Sequence, residues 1–113
     1  MAEKGKRKEE MTHVTEETFE KYVLNNEIPV IVDFWADWCM PCQILAGILE
    51  KVEMESGGKF EIVKINVDEN KALSMEFDVS SIPCLVLFKN GKEVSRLVGL
   101  RMQREILDWA ERS

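Results

Sequence analysis

Two cysteines carry the strongest chemical signal in this chain. Cys39 and Cys42 stand three positions apart in Trp38-Cys39-Met40-Pro41-Cys42, directly after an apolar run over 28–36. With that run as a buried strand and the next residues opening a helix, both sulfurs lie at a helix N-terminus. Residues i and i+3 of a helix share a face, so the thiols close a disulfide without dragging the backbone from its preferred geometry. The unpaired N–H groups of the first turn and the helix dipole stabilise a thiolate on the first cysteine, which points to Cys39 as the nucleophile of a thiol–disulfide exchange. The competing use of such a pair is zinc binding. A closed zinc site takes four ligands, and the chain adds only Cys84 and His13; the reading is therefore redox, with no metal.

Three further positions invite chemistry. Asp33 interrupts Ile31-Val32-Asp33-Phe34-Trp35, a run apolar on both faces, so its carboxylate is expected in the interior with a raised pKa. A functional acid and a structural one hydrogen-bonded to backbone both fit. Lys64 shares one face of a later strand with Ile62 and Asn66, while Val63, Ile65 and Val67 take the other. It can pair with Asp33, or stand as a solvated lysine on a sheet edge. Pro83, in Ile82-Pro83, precedes an apolar strand and cannot join its ladder; a cis bond in a tight turn is one reason for that placement, though the sequence alone favours trans.

The elements that must position these residues follow from periodicity and punctuation. Thr15 with Glu16 and Glu17 reads as the start of a short helix over 15–26, apolar at Phe19, Tyr22 and Val23. A strand over 30–36 leads into an amphipathic helix over 39–55, with Ile44, Leu45, Ile48, Leu49 and Val52 at helical spacing and Gly57-Gly58 as its stop. A strand over 60–67 precedes a helix from Asp68 to Phe77. Strands over 84–88 and 93–98 flank Asn90-Gly91, a strong hairpin signal, and Gly99 ends the sheet before a helix over 103–112. Trp35 reads as core packing beneath the cysteines. The order predicts an α/β fold, a mixed central sheet with helices on both faces.

Composition fixes the setting. The chain has 113 residues, 45% hydrophobic and 32% charged, enough for one domain with an ordinary core. A net charge of −6 supplies no basic phosphate-binding face, so nucleic acid is not an expected partner. No apolar stretch approaches the roughly 18 residues of a membrane span. Residues 1–11 form a charge-mixed tail, expected to be disordered, ahead of a domain over 12–113; Met11 offers an alternative start. The tail lacks an export signal, and three cysteines do not make a structural disulfide framework, so the expected location is the cytoplasm.

Taken together, 32–42 (Val-Asp-Phe-Trp-Ala-Asp-Trp-Cys-Met-Pro-Cys), 64–68 (Lys-Ile-Asn-Val-Asp), Ile82-Pro83 and 88–92 (Phe-Lys-Asn-Gly-Lys) resemble the thioredoxins, in the family's order and at compatible separations, from about Thr15 onward. The resemblance implies the thioredoxin-like three-layer fold and a monomeric protein-disulfide reductase. In it, Cys39 attacks a substrate disulfide and Cys42 resolves the mixed disulfide. It implies that Asp33 lies beneath Cys42 and helps to take its proton, and that the Ile82–Pro83 bond is cis, freeing the Ile82 backbone to pair with an extended substrate segment. Trp38, Met40, Pro41, Ile82, Pro83 and Gly99 then line the substrate site. The implied partners are disulfide-containing proteins and a thioredoxin reductase, with no cofactor beyond the dithiol itself. A docking module that merely keeps the fold, and a disulfide oxidase or isomerase, are the competing readings; a buried carboxylate under a dithiol argues against the first, and the lack of an export signal and of a histidine between the cysteines against the second.

The chain departs from the family's usual pattern at four places. Met40 replaces a glycine, Gln43 a cation whose loss weakens thiolate stabilisation slightly, and Gly47 a kinking proline. Cys84 follows Pro83 where threonine is usual; it is expected to be a small buried hydrophobe with an inert thiol.

Overall fold

The computed structural model describes residues 11–113. Its organising element is β1 (Val30–Trp35), in which alternate side chains point to opposite faces and both faces are buried. It pairs in parallel with β2 (Glu61–Asn66) and antiparallel with β3 (Cys84–Lys89). β4 (Lys92–Val98) completes a sheet of order β2-β1-β3-β4. The Asn90-Gly91 turn closes the β3–β4 hairpin with both residues at positive φ, 53° and 80°, the geometry that matches strand twist.

Each face of the sheet carries its own core. Ile31, Ile62, Leu85 and Leu87 pack under α1 (Met40–Ser56) and α3 (Gln103–Arg112), which contribute Leu45, Leu49, Val52, Ile106, Leu107 and Trp109. Val30, Val32, Phe34, Val63, Ile65, Val86 and Phe88 pack on the opposite face against Val14, Phe19, Val23 and Leu73, the last from α2 (Lys71–Glu76). The mixed sheet with helices on both faces is thus as the sequence predicts. Gly57, at φ 63°, ends α1 in the left-handed conformation that glycine adopts without a side-chain penalty.

Three local features differ from expectation. The first helix resolves into a turn followed by a π-helical turn, Glu20–Leu24, in which the Asn25 amide reaches back to the Glu20 carbonyl at 2.9 Å. The Asn26 side chain donates to the Tyr22 carbonyl at 3.1 Å, taking the acceptor that the next α-helical amide needs. α2 starts at Lys71 rather than at Asp68, because Asn66 Oδ1 accepts from the Asp68 and Glu69 amides at 2.8 and 3.2 Å and holds that segment in a turn. Finally, the chain entering the domain adds to the sheet: Lys64 donates its amide to the Thr12 carbonyl at 2.9 Å and accepts from the Val14 amide at 2.8 Å. Two bonds around His13 are too short a run for a sequence pattern to reveal. Met11, assigned to the tail by composition, is 2% exposed within the α1–α3 core, so the boundary falls before it. The rest of the expected tail lies outside the described residues.

Candidate active site

The β1 strand ends at Trp35, and a tight connection through Ala36, Asp37 and Trp38 delivers Cys39 to the start of α1. Cys39 is the helix N-cap, with extended backbone (φ −93°, ψ 105°), and its Sγ accepts the Cys42 amide at 3.2 Å. That is the bond a serine or aspartate cap ordinarily accepts. The N–H aimed at Sγ in the disulfide is equally placed to stabilise a thiolate once the bond is reduced. Pro41 enters the first turn, where a missing backbone donor costs nothing. Cys39 and Cys42 form a disulfide across Cα atoms 5.2 Å apart. Both are nearly covered, Cys39 4% and Cys42 1% exposed. The accessible end of the site is therefore formed by their neighbours.

Trp38 and Met40 are 70% and 67% exposed on either side of Cys39. Pro41 is exposed as well. The Trp38 indole is anchored by its Nε1, which donates to Asp68 Oδ2 at 2.8 Å, a partner that sequence reasoning did not assign. Ile82 packs against the cluster of Ala36, Cys39 and Cys42, and the Ile82–Pro83 bond is cis. β3 begins only at Cys84, so the Ile82 backbone lies outside the ladder. Gly99, at φ 96°, donates its amide to the Pro83 carbonyl at 2.8 Å, tying the end of β4 to the proline. The expected substrate-site residues therefore gather around the disulfide.

Asp33 and Lys64 are register partners on β1 and β2. Both are buried, and Lys64 Nζ donates to Asp33 Oδ2 at 3.4 Å, so the solvated-lysine alternative does not hold. Burial pushes the Asp33 carboxyl up to about 6, and the Lys64 charge and hydrogen bond only partly oppose it. Asp33 Oδ1 has no hydrogen-bond partner among the described residues. Trp35, read as core packing, is only half-buried: its ring lies 4.8 Å from Lys64 Nζ and its centroid 6.0 Å from that of His13. With His13, Asp37, Cys42, Gln43, Ala46 and Lys64 it lines a cavity of about 250 Å³ behind the disulfide. No pattern pointed to His13; only its bridge to Lys64 brings it there.

Cys84 pairs with Phe34 in the register, and so faces the α2 side of the sheet, opposite Asp33. It is 1% exposed, and burial pushes its thiol pKa up. Among the described residues no three His, Cys, Asp or Glu side chains are grouped to hold a metal ion, and no helix is long and apolar enough to cross a membrane.

The sequence that builds this site is similar to those of known proteins. The Thioredoxin family profile matches residues 10–112. The chain is 42% identical to the thioredoxin of Rickettsia felis over 101 residues, covering 89% of this chain and 96% of that protein. It is 47% identical to the thioredoxin of Haemophilus influenzae over 100 residues, covering 88% and 94%. Thioredoxin 1 of a Nostoc species is 42% identical over 86 residues, covering 76% and 80%.

Proposed function

This chain belongs to the thioredoxin family and is a protein-disulfide reductase, and on that premise we propose the following division of labour among its residues. Cys39, as thiolate, attacks one sulfur of a substrate disulfide; the other substrate sulfur leaves and takes a proton. Cys42 gives its proton to Asp33 and attacks Cys39, forming the Cys39–Cys42 bond and releasing the second substrate sulfur as a thiolate. Lys64 holds Asp33 in place and moderates its charge. Trp38, Met40, Pro41, Ile82, Pro83 and Gly99 receive the extended substrate segment, the free Ile82 backbone pairing with it.

The observation that carries this reading is the Cys42 amide donating to Cys39 Sγ beside the cis peptide at Pro83. It favours Cys39 over Cys42 as the attacking sulfur, because the stabilising N–H points at Cys39. The redox couple is the dithiol itself, with no added cofactor or metal. A reductase partner must return the disulfide to dithiol, and a reductant of this kind works in a reducing compartment, here the cytoplasm. On the same reading it acts as a monomer.

Substitution of each cysteine tests the order of attack. Cys39→Ser abolishes disulfide reduction, whereas Cys42→Ser accumulates a mixed disulfide with a substrate protein, visible on a non-reducing gel. Turnover by Cys39→Ser, or no trapped adduct with Cys42→Ser, reverses the assignment.

A further inference from the structure

The cavity behind the disulfide has an inner and an outer end. Its inner wall contains Cys42 and Lys64, and Lys64 holds Asp33 at 3.4 Å. His13 is exposed at its edge, fixed by the backbone bridge to Lys64 and by the edge contact with Trp35. Two buried polar atoms of residues that adjoin Lys64, Asp33 Oδ1 and Trp35 Nε1, have no hydrogen-bond partner among the described residues. A cavity of about 250 Å³ lined by a histidine, an aspartate, a glutamine and a lysine is roomy and polar enough for water, which needs about two to four such partners.

We propose that His13 exchanges, through water in this cavity, the proton that Asp33 takes from Cys42, making the imidazole the solvent-side station of the proton route. The inference rests on the reading of Asp33 as the proton acceptor. As Cys42 loses its proton to Asp33, the sulfur's electron pair forms the bond to Cys39 and the substrate thiolate departs. The resulting carboxylic acid passes its proton through water to neutral His13, which releases it to solvent. When the disulfide is reduced again the path runs inward and Cys42 regains a proton. No electrons move through His13.

The charges around the imidazole suit this role. Lys64 on β2 faces it, Glu69 lies in the turn after β2, and Asp37 lines the cavity from the β1–α1 connection. Burial first and the Lys64 charge second hold His13 below its ordinary 6.5, with Glu69 opposing. His13 therefore favours the neutral form near pH 7, the form that can accept a proton arriving from the cavity.

The test is single-turnover oxidation of the full reduced chain by insulin, followed by tryptophan fluorescence at several buffer concentrations. His13→Gln is expected to slow the reaction about tenfold in dilute buffer, with the rate restored by added imidazole, while the wild-type rate ignores buffer. A wild-type rate for His13→Gln in dilute buffer, or a slowing that imidazole does not relieve, overturns the proposal. His13 is the only histidine in the chain, so its ring-proton resonance is unambiguous. Its titration midpoint is expected to differ between oxidised and reduced protein, and equal midpoints would also overturn the proposal. The Asp33→Asn variant separates the two readings. If it reacts like wild type at every pH, the assignment of Asp33 itself fails; if it is slow while His13→Gln is not, only the role of His13 fails.

Discussion

Asp33 shows most directly how stability is exchanged for chemistry at a single residue. Its carboxyl is held at about 6 against an ordinary 3.8, chiefly by burial. Between those values the folded chain binds a proton that the unfolded chain has lost, so the contribution of Asp33 to stability is present at low pH and disappears as pH rises through about 6. A shift of this size is worth about 3 kcal/mol. Asp33→Asn is expected to stabilise the protein above that window by about 1–3 kcal/mol, less than the full amount because Lys64 loses its counter-charge, and to change it little below. Turnover should slow in the same variant. Denaturant melts on both sides of the window and a reduction assay check this; a variant that melts early yet works normally marks Asp33 as structural. Cys84 sits at the opposite extreme. With its thiol buried and its pKa raised, it should resist thiol reagents in the native oxidised protein and react only on unfolding. Rapid native labelling, or a Cys84 disulfide recovered by peptide mapping, would give it a regulatory role instead.

At the scale of elements, α1 does two jobs, capping with a sulfur at one end and covering the sheet along its length. Gly47 lies in its interior, and a Cβ built there meets nothing within 4 Å. Glycine in a helix interior costs about 1 kcal/mol relative to alanine through backbone entropy. Gly47→Ala should therefore stabilise the chain by about that amount in denaturant melts, with activity unchanged. A destabilised variant, or one with altered turnover, would mean that the site needs the flexibility glycine leaves in α1. Gly91 is the contrasting case. It has positive φ, and a Cβ there would lie 2.9 Å from the Leu24 carbonyl oxygen, so both backbone conformation and space require glycine in the hairpin turn.

Over the whole molecule, the segment at the outer edge of β2 ties the two cores together. Met11 is buried with α1 and α3, and Val14 is buried on the opposite face. Met11→Ala should cost about 2–4 kcal/mol in a denaturant melt. A loss within about 0.5 kcal/mol, the range of ordinary surface substitutions, would show that Met11 contributes as surface rather than core.

Much of this architecture was legible in the sequence because the information is local. The 3.6- and 2-residue periods mark α1, α3 and the strands, Asn90-Gly91 dictates its turn, and the Cys39–Cys42 spacing at a helix start identifies the chemistry. The resemblance supplied the cis bond at Pro83, which composition alone disfavours. Other features depend on what the fold brings near, and no local pattern records that. Asn66 delays α2 by occupying two amides, and Met11 joins the core although its neighbours in sequence are charged. His13 reaches the cavity behind Cys42 only because its backbone pairs with Lys64, 51 positions further along the chain. The sequence by itself determined the elements and the reacting sulfurs, since helix and strand periods and cysteine spacing act over a few residues. Only the tertiary structure decided which charges are buried and what surrounds them, because burial and Coulomb interactions depend on distance through space.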